Sequence, residues 1–396
     1  MNRLVASDAG AVRPEQLPPP QRAGPARVLF IHSMFAGLAT YARELAAYTE
    51  SRPDLDATHV FVRWPLWARI AGKALPQARL PGWDLHPWRK LRAFRRALNA
   101  WLAGPLDARR FETVFIRTQG IALSAADIPR RWGCRVVVNL DATGENEVRD
   151  WGYARWTRLP FIRDEARIYA AADLICPWTR WVERSLIEHY SIPPDKILVA
   201  PGAVTLPSGL PLAPETPAPA SRLPRLAFVG NDWPRKGGPR LLAWHQQHWA
   251  HRAELHVFSG RVQPDPSARN VAWRGAVPRD ELLARHLPDM DLFVLPTRED
   301  TFVWAALEAS GVGLPIVASR IAGLPEVVRE GETGLLCTWN DDAAFIAAID
   351  RLLADPALRR SMGQAGRRHV RERFSPPACF GPMIDRIVAL PPRGSR

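Results

Sequence analysis

Short apolar runs of β type alternate with segments of helical spacing along most of this chain. ARVLFIHS (26–33) is followed by the turn-like MFAG and then by LATYARELAAYTE (38–50), whose apolar residues recur at helical intervals. This alternation predicts an α/β protein with a parallel, doubly wound sheet that is covered on both faces. The further strands predicted in the first half are THVFVRW (58–64), ETVFIRT (112–118), CRVVVNLDAT (134–143), ADLICPWT (172–179) and KILVAPGAV (196–204).

A proline-rich segment separates this series from a second one. The segment 201–224 holds seven prolines in 24 residues, too many for a helix or a central strand, which indicates a linker. The strands predicted after it are RLAFVGND (225–232), AELHVFSG (253–260), NVAWRG (270–275), MDLFVLPT (290–297) and LPIVAS (314–319). Two Rossmann-like halves joined in this way leave a cleft between them, and the carboxyl ends of both sheets face it.

The length of 396 residues favours two domains over one core. The predicted divisions are a leader at 1–25 that we expect to be disordered, an amino-terminal Rossmann-like domain at 26–205, a linker at 206–224, a carboxy-terminal Rossmann-like domain at 225–375, and a helix with a tail at 376–396.

Composition narrows the class of protein and its compartment. Hydrophobic residues make up 47% and charged residues 23%, which is typical of a soluble globular protein. The sequence contains no apolar run of 18 residues, and its first residues lack the apolar core of a signal peptide. The cysteines at 134, 176, 337 and 379 form no CxxC pair or metal-binding pattern, so we expect a reducing cytoplasm and no structural zinc.

The net charge of +13 is concentrated in one stretch that is also rich in tryptophan. Residues 61–101 hold nine Lys or Arg, five Trp and one acid, Asp84. Basic residues interleaved with Trp suit an anionic membrane surface, where indoles lie at the level of the headgroups. A solvated basic face explains the same pattern equally well, and nucleic acid binding, which we do not expect, is a third alternative.

The first candidate site is FVGNDWPRKGG (228–238). The predicted strand ends at Gly230, and Arg235, Lys236 and two glycines follow. Cations beside glycines at the carboxyl end of a strand suit a diphosphate, with Arg binding in a bidentate manner and Lys acting as a point charge. A basic surface turn is the alternative, since no GxGxxG or Walker pattern is present.

The second candidate site is REDTFVWAALEA (298–309). We expect a helix to begin near Thr301 or Phe302, with Thr301 as its cap, so that free backbone N–H groups and the helix dipole favour a phosphate. Asp300 and Glu308 lie about two turns apart, and carboxylates accept hydrogen bonds from sugar hydroxyls. Dipole complementation by Asp300 and a buried ion pair at Glu308 are the alternatives.

In combination these stretches resemble the GT-B retaining glycosyltransferases of family 4. The resemblance is nearly continuous over 225–355, through FVGNDWPRKGG, GAVPRDELLARHLPDMDLFVLPT and REDTFVWAALEASGVGLPIVASRIAGLPEVVREGETGLL. The amino-terminal half matches more loosely, through NLDATGENEVRD and LICPWTRWVERSLIEHYSIPPDKILVAPGAV. The resemblance implies the GT-B fold, with a last helix that crosses back onto the amino-terminal domain.

The resemblance also implies roles for individual residues in the carboxy-terminal half. Asp300, beside Glu299, stands where the family has a glutamate that contacts the transferred sugar, and Glu308 matches the glutamate that holds the ribose hydroxyls. Lys236 matches the phosphate lysine, whereas the phosphate arginine falls at Asn231, so we expect Arg235 to supply that guanidinium. The remaining expected contacts with the donor are Gly230, Thr301 and the backbone amides of Phe302, Val303 and Trp304.

In the amino-terminal half the expected site residues are fewer. Gly37 is the candidate for the loop that approaches the donor phosphates, and His32 ends the first strand, where a structural role is as well supported as a catalytic one. Asp141 and Thr143 follow the strand VVVNL as candidates for a base or for acceptor contacts. Asp289 and Asp291 are interpreted as structural, and neither a metal nor another cofactor is expected.

The function implied is transfer of a sugar from a nucleotide-sugar donor to a lipid-linked or polysaccharide acceptor at the inner face of the membrane. The resemblance implies retention of configuration by front-face displacement, in which the leaving diphosphate is stabilised by Lys236, Arg235 and the helix terminus. Two alternatives stay open: a sugar-nucleotide epimerase of the same fold, and a non-catalytic protein that binds nucleotides or nucleic acid.

Overall fold

The computed structural model describes residues 24–33, 38–62, 111–117, 133–207, 209 and 222–391. Three predictions lie wholly or mostly outside these residues. They are the leader, the basic and tryptophan-rich segment from residue 63 onward, and Gly37. Most of the proline-rich linker also lies outside them.

The described part of the amino-terminal half forms a parallel sheet of five strands. Their order is β2-β1-β3-β4-β5, and each neighbouring pair is parallel. The strands are β1 (Ala26–Ser33), β2 (Leu55–Val62), β3 (Thr113–Arg117), β4 (Arg135–Leu140) and β5 (Leu174–Pro177). All residues of β3 and β5 are buried, which explains why these strands read as continuous rather than alternating apolar runs.

Four helices are described in this half, and the first has the predicted bounds. They are α1 (Leu38–Glu50), α2 (Gly144–Trp151), α3 (Arg155–Ala171) and α4 (Arg180–Tyr190). Thr143 caps α2, where its hydroxyl accepts from the N–H of Asn146 and the Asn146 side chain bonds back to the cap. This capping box fixes the point at which the chain leaves β4.

The carboxy-terminal half forms a second parallel sheet, with six strands in the order β11-β10-β9-β6-β7-β8. The strands are β6 (Arg225–Val229), β7 (Glu254–Phe258), β8 (Val271–Trp273), β9 (Leu292–Leu295), β10 (Ile316–Ser319) and β11 (Gly334–Cys337). Because β6 and β9 are neighbours, the loops that follow them meet at one edge.

The helices of this half are α5 (Gly238–Trp244), α6 (Arg279–Glu281), α7 (Trp304–Gly311), α8 (Leu324–Val327), α9 (Asp342–Ala354), α10 (Pro356–Arg373) and α11 (Pro376–Val388). Short π-helical turns, His245–Trp249 and Leu282–His286, continue α5 and α6.

The last helix, α11, packs against α1 of the amino-terminal half. The ring of Tyr41 meets that of Phe380 edge-on at 5.3 Å, and its hydroxyl lies 3.9 Å from Sδ of Met383. Arg52 and Asp385 form an ion pair at 2.8 Å on the same side. The chain therefore crosses back onto the amino-terminal domain, as the resemblance implied.

The strand predicted at 196–204 is wrong. Ile197 forms an isolated bridge with Ile175, and beyond it only Leu198 and Ala200 donate to the backbone of β5. The segment then leaves the sheet, and Val204 donates to the carbonyl of Phe374 in the other half. The apolar residues are buried because they pass between the domains rather than because they extend the sheet.

Candidate active site

The loops that follow β6 and β9 join directly. The N–H of Arg298 donates to the carbonyl of Arg235 at 3.0 Å. Gly237 ends the first loop at φ 79°, and a Cβ there would lie 2.0 Å from the carbonyl oxygen of Pro296. Only glycine suits this left-handed backbone and close approach, so the sequence RKGG brings its two cations onto the loop that holds REDT.

Lys236 and Asp300 form an ion pair at this junction. The two atoms Nζ and Oδ2 lie 2.8 Å apart, and both side chains are largely buried. Sequence reasoning gave these residues separate ligands, a phosphate and a sugar. In the structure Lys236 and Asp300 bind each other, so their charges are neutralised. A charged ligand that binds either residue has to separate this pair.

Arg235 is already engaged by three groups of the protein. Its guanidinium bonds Asp232 at 3.0 Å and the carbonyl of Glu299, and it lies 3.6 Å from Asp300. Burial disfavours its charge, but the carboxylates of Asp300 and Asp232 outweigh that cost and raise the pKa of Arg235. Arg235 therefore reinforces the Asp300 carboxylate from a second side.

Gly230 and Asn231, which precede Lys236 on the same loop, have different roles. A Cβ at Gly230 would lie 2.3 Å from Cδ of Lys236, so Gly230 leaves the space that the lysine chain occupies. The Asn231 side chain instead accepts from the N–H of Gly260 at 2.9 Å. Asn231 thus ties the loop after β6 to the loop after β7.

Glu299 connects the two halves of the molecule. One of its oxygens accepts from the hydroxyl of Tyr153 at 3.1 Å, and the other from Arg298 at 2.6 Å. Burial, with Glu299 adding to the effect, raises the pKa of Tyr153 to about 12. A hydroxyl that stays protonated remains a donor, which maintains this contact between domains.

Thr301 does not cap the helix that follows it, so that prediction is wrong. Helix α7 begins at Trp304 with Val303 as N-cap, and no side chain bonds its first turn. The hydroxyl of Thr301 instead donates to Oδ2 of Asp141 at 3.2 Å. Asp141 therefore meets the REDT loop across the cleft, as its position after β4 predicted.

The residues before and at the start of α7 bury their side chains and leave their backbone donors free. Phe302 and Trp304 lie edge-on to Trp178, with ring centroids 5.1 and 5.7 Å away. The N–H groups of Phe302, Val303 and Trp304 have no acceptor among the described residues. Three backbone donors thus remain for a ligand beside the Lys236–Asp300 pair.

Glu308 lies on α7 in an ion pair. Its Oε1 accepts from Nε of Arg279 at 2.6 Å, and the residue is 7% exposed. Burial raises the pKa of Glu308, while Arg279 opposes that rise. The buried ion pair, left open as an alternative, is present.

His32 is fully buried rather than open to the cleft. Its Nε2 lies 2.9 Å from Nδ1 of His59 on β2, and its ring stacks with those of Phe30 and Phe61. Burial, with His59 and Arg117 nearby, lowers the pKa of His32 to about 3. The ring is neutral at physiological pH, which supports the structural role.

Sequence reasoning missed Arg117, which ends β3. It is fully buried, and its guanidinium lies 3.7 Å from Asp141 and 4.1 Å from the ring of Trp178. None of its three nitrogens makes a hydrogen bond in the described part of the chain. An arginine directly after the apolar run VFI was the available signal, because charged residues are rarely buried without a role.

The loop that carries Asp141 and Thr143 rests on a buried acid. Glu165 accepts from the N–H of Gly144 at 2.9 Å and from the hydroxyls of Tyr190 and Tyr169 at 2.5 and 3.0 Å. Burial raises the pKa of Glu165 to about 8. The hydroxyl of Thr143 lies 2.7 Å from that of Ser185, so Thr143 is a structural residue.

Two other acidic residues have structural partners. Glu326 accepts from the N–H groups of Arg180 and Trp181 at the start of α4, at 2.9 and 3.2 Å. Asp291 binds Arg222 at 2.9 Å and the N–H of Arg225 at 2.8 Å. The residues that the structure describes contain no cluster of three His, Cys, Asp or Glu that could hold a metal ion.

Comparison with solved structures shows the fold. Sucrose-phosphate synthase (tll1590) from Thermosynechococcus elongatus has a TM-score of 0.70 at 19% identity, covering 92% of this chain and 99% of that one. The Anabaena protein Alr3699/HepE, solved in complex with UDP-glucose, has a TM-score of 0.64 at 13% identity, covering 92% and 100%. With its two parallel sheets and crossing helix, the chain has the GT-B fold.

Comparison of sequences finds similarity to glycosyltransferases, and it includes the carboxy-terminal domain. Residues 223–355 match the family described as "Glycosyl transferases group 1". D-inositol 3-phosphate glycosyltransferase from Corynebacterium efficiens is 32% identical over 232 residues, covering 52% of this chain and 54% of that protein. The enzyme of that name from Geodermatophilus obscurus is 31% identical over 248 residues, covering 57% and 53%. The chain thus spans about half the length of these curated relatives.

No helix among the described residues is both long and apolar enough to cross a bilayer.

Proposed function

We propose that this protein is a retaining hexosyltransferase that moves a sugar from a nucleotide-sugar donor to a glycan or lipid-linked acceptor. The observation that carries the proposal is the Lys236–Asp300 pair, beside three free backbone N–H groups, where the loops after β6 and β9 meet. Cations and backbone donors at the carboxyl ends of parallel strands suit a diphosphate.

The donor separates the ion pair by replacing each partner. A diphosphate oxygen takes the place of the Asp300 carboxylate at Lys236, and a sugar hydroxyl donates to the freed carboxylate. Because the pair is neutral and largely buried without a ligand, the exchange leaves neither charge unpaired. Uracil is the base we expect, since the Anabaena protein of the same fold was solved with UDP-glucose.

The chemical step breaks the bond between the anomeric carbon and the diphosphate oxygen on the face that the acceptor approaches. The acceptor hydroxyl forms the new bond, its proton passes to the leaving diphosphate, and the electron pair of the broken bond stays on that diphosphate. Lys236 and the free amides at the start of α7 stabilise the charge that develops there. Lys236 supplies this charge from the protein, so we propose no metal requirement.

Two features bear on the acceptor. The curated relatives are named for D-inositol 3-phosphate, a small polar molecule. The basic, tryptophan-rich segment 61–101 suits an anionic membrane surface instead, and we base the proposed acceptor on this segment. We expect a lipid-linked or polysaccharide acceptor at the cytoplasmic face of a membrane, and we expect the protein to sediment with anionic liposomes at low salt and to be released at high salt.

The direct test is release of nucleoside diphosphate from UDP-glucose by purified protein. A glycosyltransferase without its acceptor gives slow release of UDP together with free glucose of unchanged configuration. Free sugar with an altered carbon centre supports the epimerase alternative. Absence of turnover with UDP-glucose, GDP-mannose and ADP-glucose contradicts the proposed activity.

A further inference from the structure

We infer that Arg279 is a positioning residue that holds the Glu308 carboxylate ionised and oriented so that one of its oxygens is presented to the ribose of the donor. The inference rests on the proposed function and on the ribose contact that the family resemblance implies for Glu308. Sequence reasoning assigned no role to Arg279, which lies on the short helix α6.

The two carboxylate oxygens of Glu308 differ in their contacts with Arg279. Nε of Arg279 binds Oε1 at 2.6 Å. Oε2 has no hydrogen-bond partner in the parts of the chain that the structure describes. It is also not among the fully buried polar atoms that lack a partner there. A carboxylate held through one oxygen keeps the lone pairs of the other for a ligand hydroxyl.

Arg279 is itself held on its other side. Its Nη2 donates to the carbonyl of Thr205 at 3.1 Å, and its Nη1 lies 3.9 Å from Oε1 of Glu44 on α1. Glu44 also accepts from the hydroxyl of Thr205. Two hydrogen bonds from different nitrogens, with the Glu44 carboxylate facing the third, restrict the plane of the guanidinium and with it the orientation of Glu308.

The charge of Glu308 depends on this one cation. Burial raises the pKa of the Glu308 carboxyl, Arg279 lowers it, and the facing carboxylate of Glu44 raises it further. These are the charged groups that face Glu308 from α6 and α1. Without Arg279, burial and Glu44 act together, and Glu308 takes up a proton at a higher pH.

The test compares two nucleotides that differ by one ribose hydroxyl. Binding of UDP and of 2′-deoxy-UDP is measured by calorimetry from pH 6 to pH 9 for the wild type, Arg279→Met, Glu308→Gln and Arg285→Met. The matched control, Arg285, is exposed on the π-helical turn that continues α6. Arg279→Lys, which retains the charge, serves where the methionine variant does not fold.

A hydrogen bond to a charged acceptor predicts that wild type and Arg285→Met prefer UDP by about 10- to 100-fold. Glu308→Gln reduces that preference below about threefold at every pH. Arg279→Met has a similarly small preference near pH 7 and regains part of it as the pH rises, because Glu308 then loses its proton. At pH 7 the preference of Arg279→Lys for UDP lies between that of the wild type and that of Arg279→Met.

The two levels of the proposal fail differently. If Glu308→Gln keeps the wild-type preference, the ribose contact itself is wrong, and with it the basis for Arg279. If Glu308→Gln loses the preference while Arg279→Met keeps it at pH 7, the ribose contact stands and the positioning role of Arg279 is wrong. A loss in Arg279→Met that does not change with pH contradicts the charge argument.

Discussion

Lys236 and Asp300 neutralise each other where we propose that the donor diphosphate binds. The contact is short, and each side chain is less than one-fifth exposed, so the pair is screened less than a surface ion pair. Arg235 stays beside Asp300 when the lysine moves, which limits the cost of separating the pair.

Lys236→Ala should reduce turnover of UDP-glucose by roughly 100-fold or more, because it removes a cation that stabilises the leaving diphosphate. Arg235 still compensates Asp300, so the variant should keep its fold. Steady-state UDP release and circular dichroism measure the two effects. Lys196→Ala, on a surface turn far from the site in sequence, is the control, and equal activity in both variants would contradict the assignment.

Arg117→Met should lower turnover at least tenfold while leaving the melting temperature unchanged or higher. Replacing a poorly paired buried charge by an apolar side chain of similar volume is often neutral or stabilising. The loss of activity follows because Asp141, which meets Thr301, no longer has its cation. Calorimetry should therefore give an unchanged or higher melting temperature while the rate of UDP release falls. A variant with a much lower melting temperature would show that Arg117 has a purely structural role.

At the scale of elements, the sequence pattern predicted the bounds of those elements that local residue spacing determines. Helix α1 has the predicted bounds because its apolar residues recur at helical spacing over its whole length. Helix α7 begins later than predicted, at Trp304, where the preceding Phe302 packs against Trp178 of the other half. The segment 196–204 is not a strand for a similar reason. Val204, near its end, donates its N–H to the carbonyl of Phe374 in the other half rather than to a neighbouring strand.

Gly202→Ala should disturb the start of α7. A Cβ at Gly202 would lie 2.8 Å from Cζ2 of Trp304 and 3.1 Å from Cε1 of Phe302. Overpacking of this kind costs about 1–3 kcal/mol, and the displaced ring should move the free amides that we assign to the donor. Melting temperature and UDP affinity should both fall, and Trp304→Phe in the same chain should restore part of the loss. Full additivity of the two substitutions would contradict direct contact.

Glu165 should make stability depend on pH. Its pKa of about 8 in the folded protein lies above the value near 4.3 of an unfolded chain. The folded state therefore binds the extra proton between these values, and the contribution of Glu165 to stability falls as pH rises from about 4.5 to 8. One proton corresponds to a slope of up to about 1.4 kcal/mol per pH unit.

Glu165→Gln removes that slope because the amide does not titrate. Urea unfolding of wild type and variant at pH 5, 6, 7 and 8 measures the difference. The stability of the wild type should decline more steeply than that of the variant over this range. Parallel curves would show that Glu165 does not titrate there.

For the whole molecule, the limits of sequence reasoning are set by contacts between domains. Cations beside glycines after one strand and carboxylates around an apolar helix, together with the family resemblance, marked Lys236, Asp300 and Glu308 as candidates. Contacts across the cleft could not be predicted: Tyr153 meets Glu299, and Glu44 faces Arg279. No spacing in one half indicates which residue of the other half will meet it.

These contacts also describe how the two domains are held. Asp141 meets Thr301, Tyr153 meets Glu299, and Glu326 binds the start of α4. All three join the amino-terminal half to segments that follow strands of the carboxy-terminal sheet: the REDT loop after β9, and helix α8 after β10. Two of these contacts are made by the REDT loop, so the account predicts that a donor which displaces this loop also changes the contact between the domains.

A crystal structure of the protein with UDP-glucose tests the central claim most directly, through the distance from Nζ of Lys236 to its nearest acceptor. The account predicts that Nζ leaves Asp300 and lies within about 3 Å of a diphosphate oxygen, with the backbone N–H groups before α7 on the same diphosphate. A bound nucleotide elsewhere in the molecule, with the Lys236–Asp300 pair intact, would contradict it.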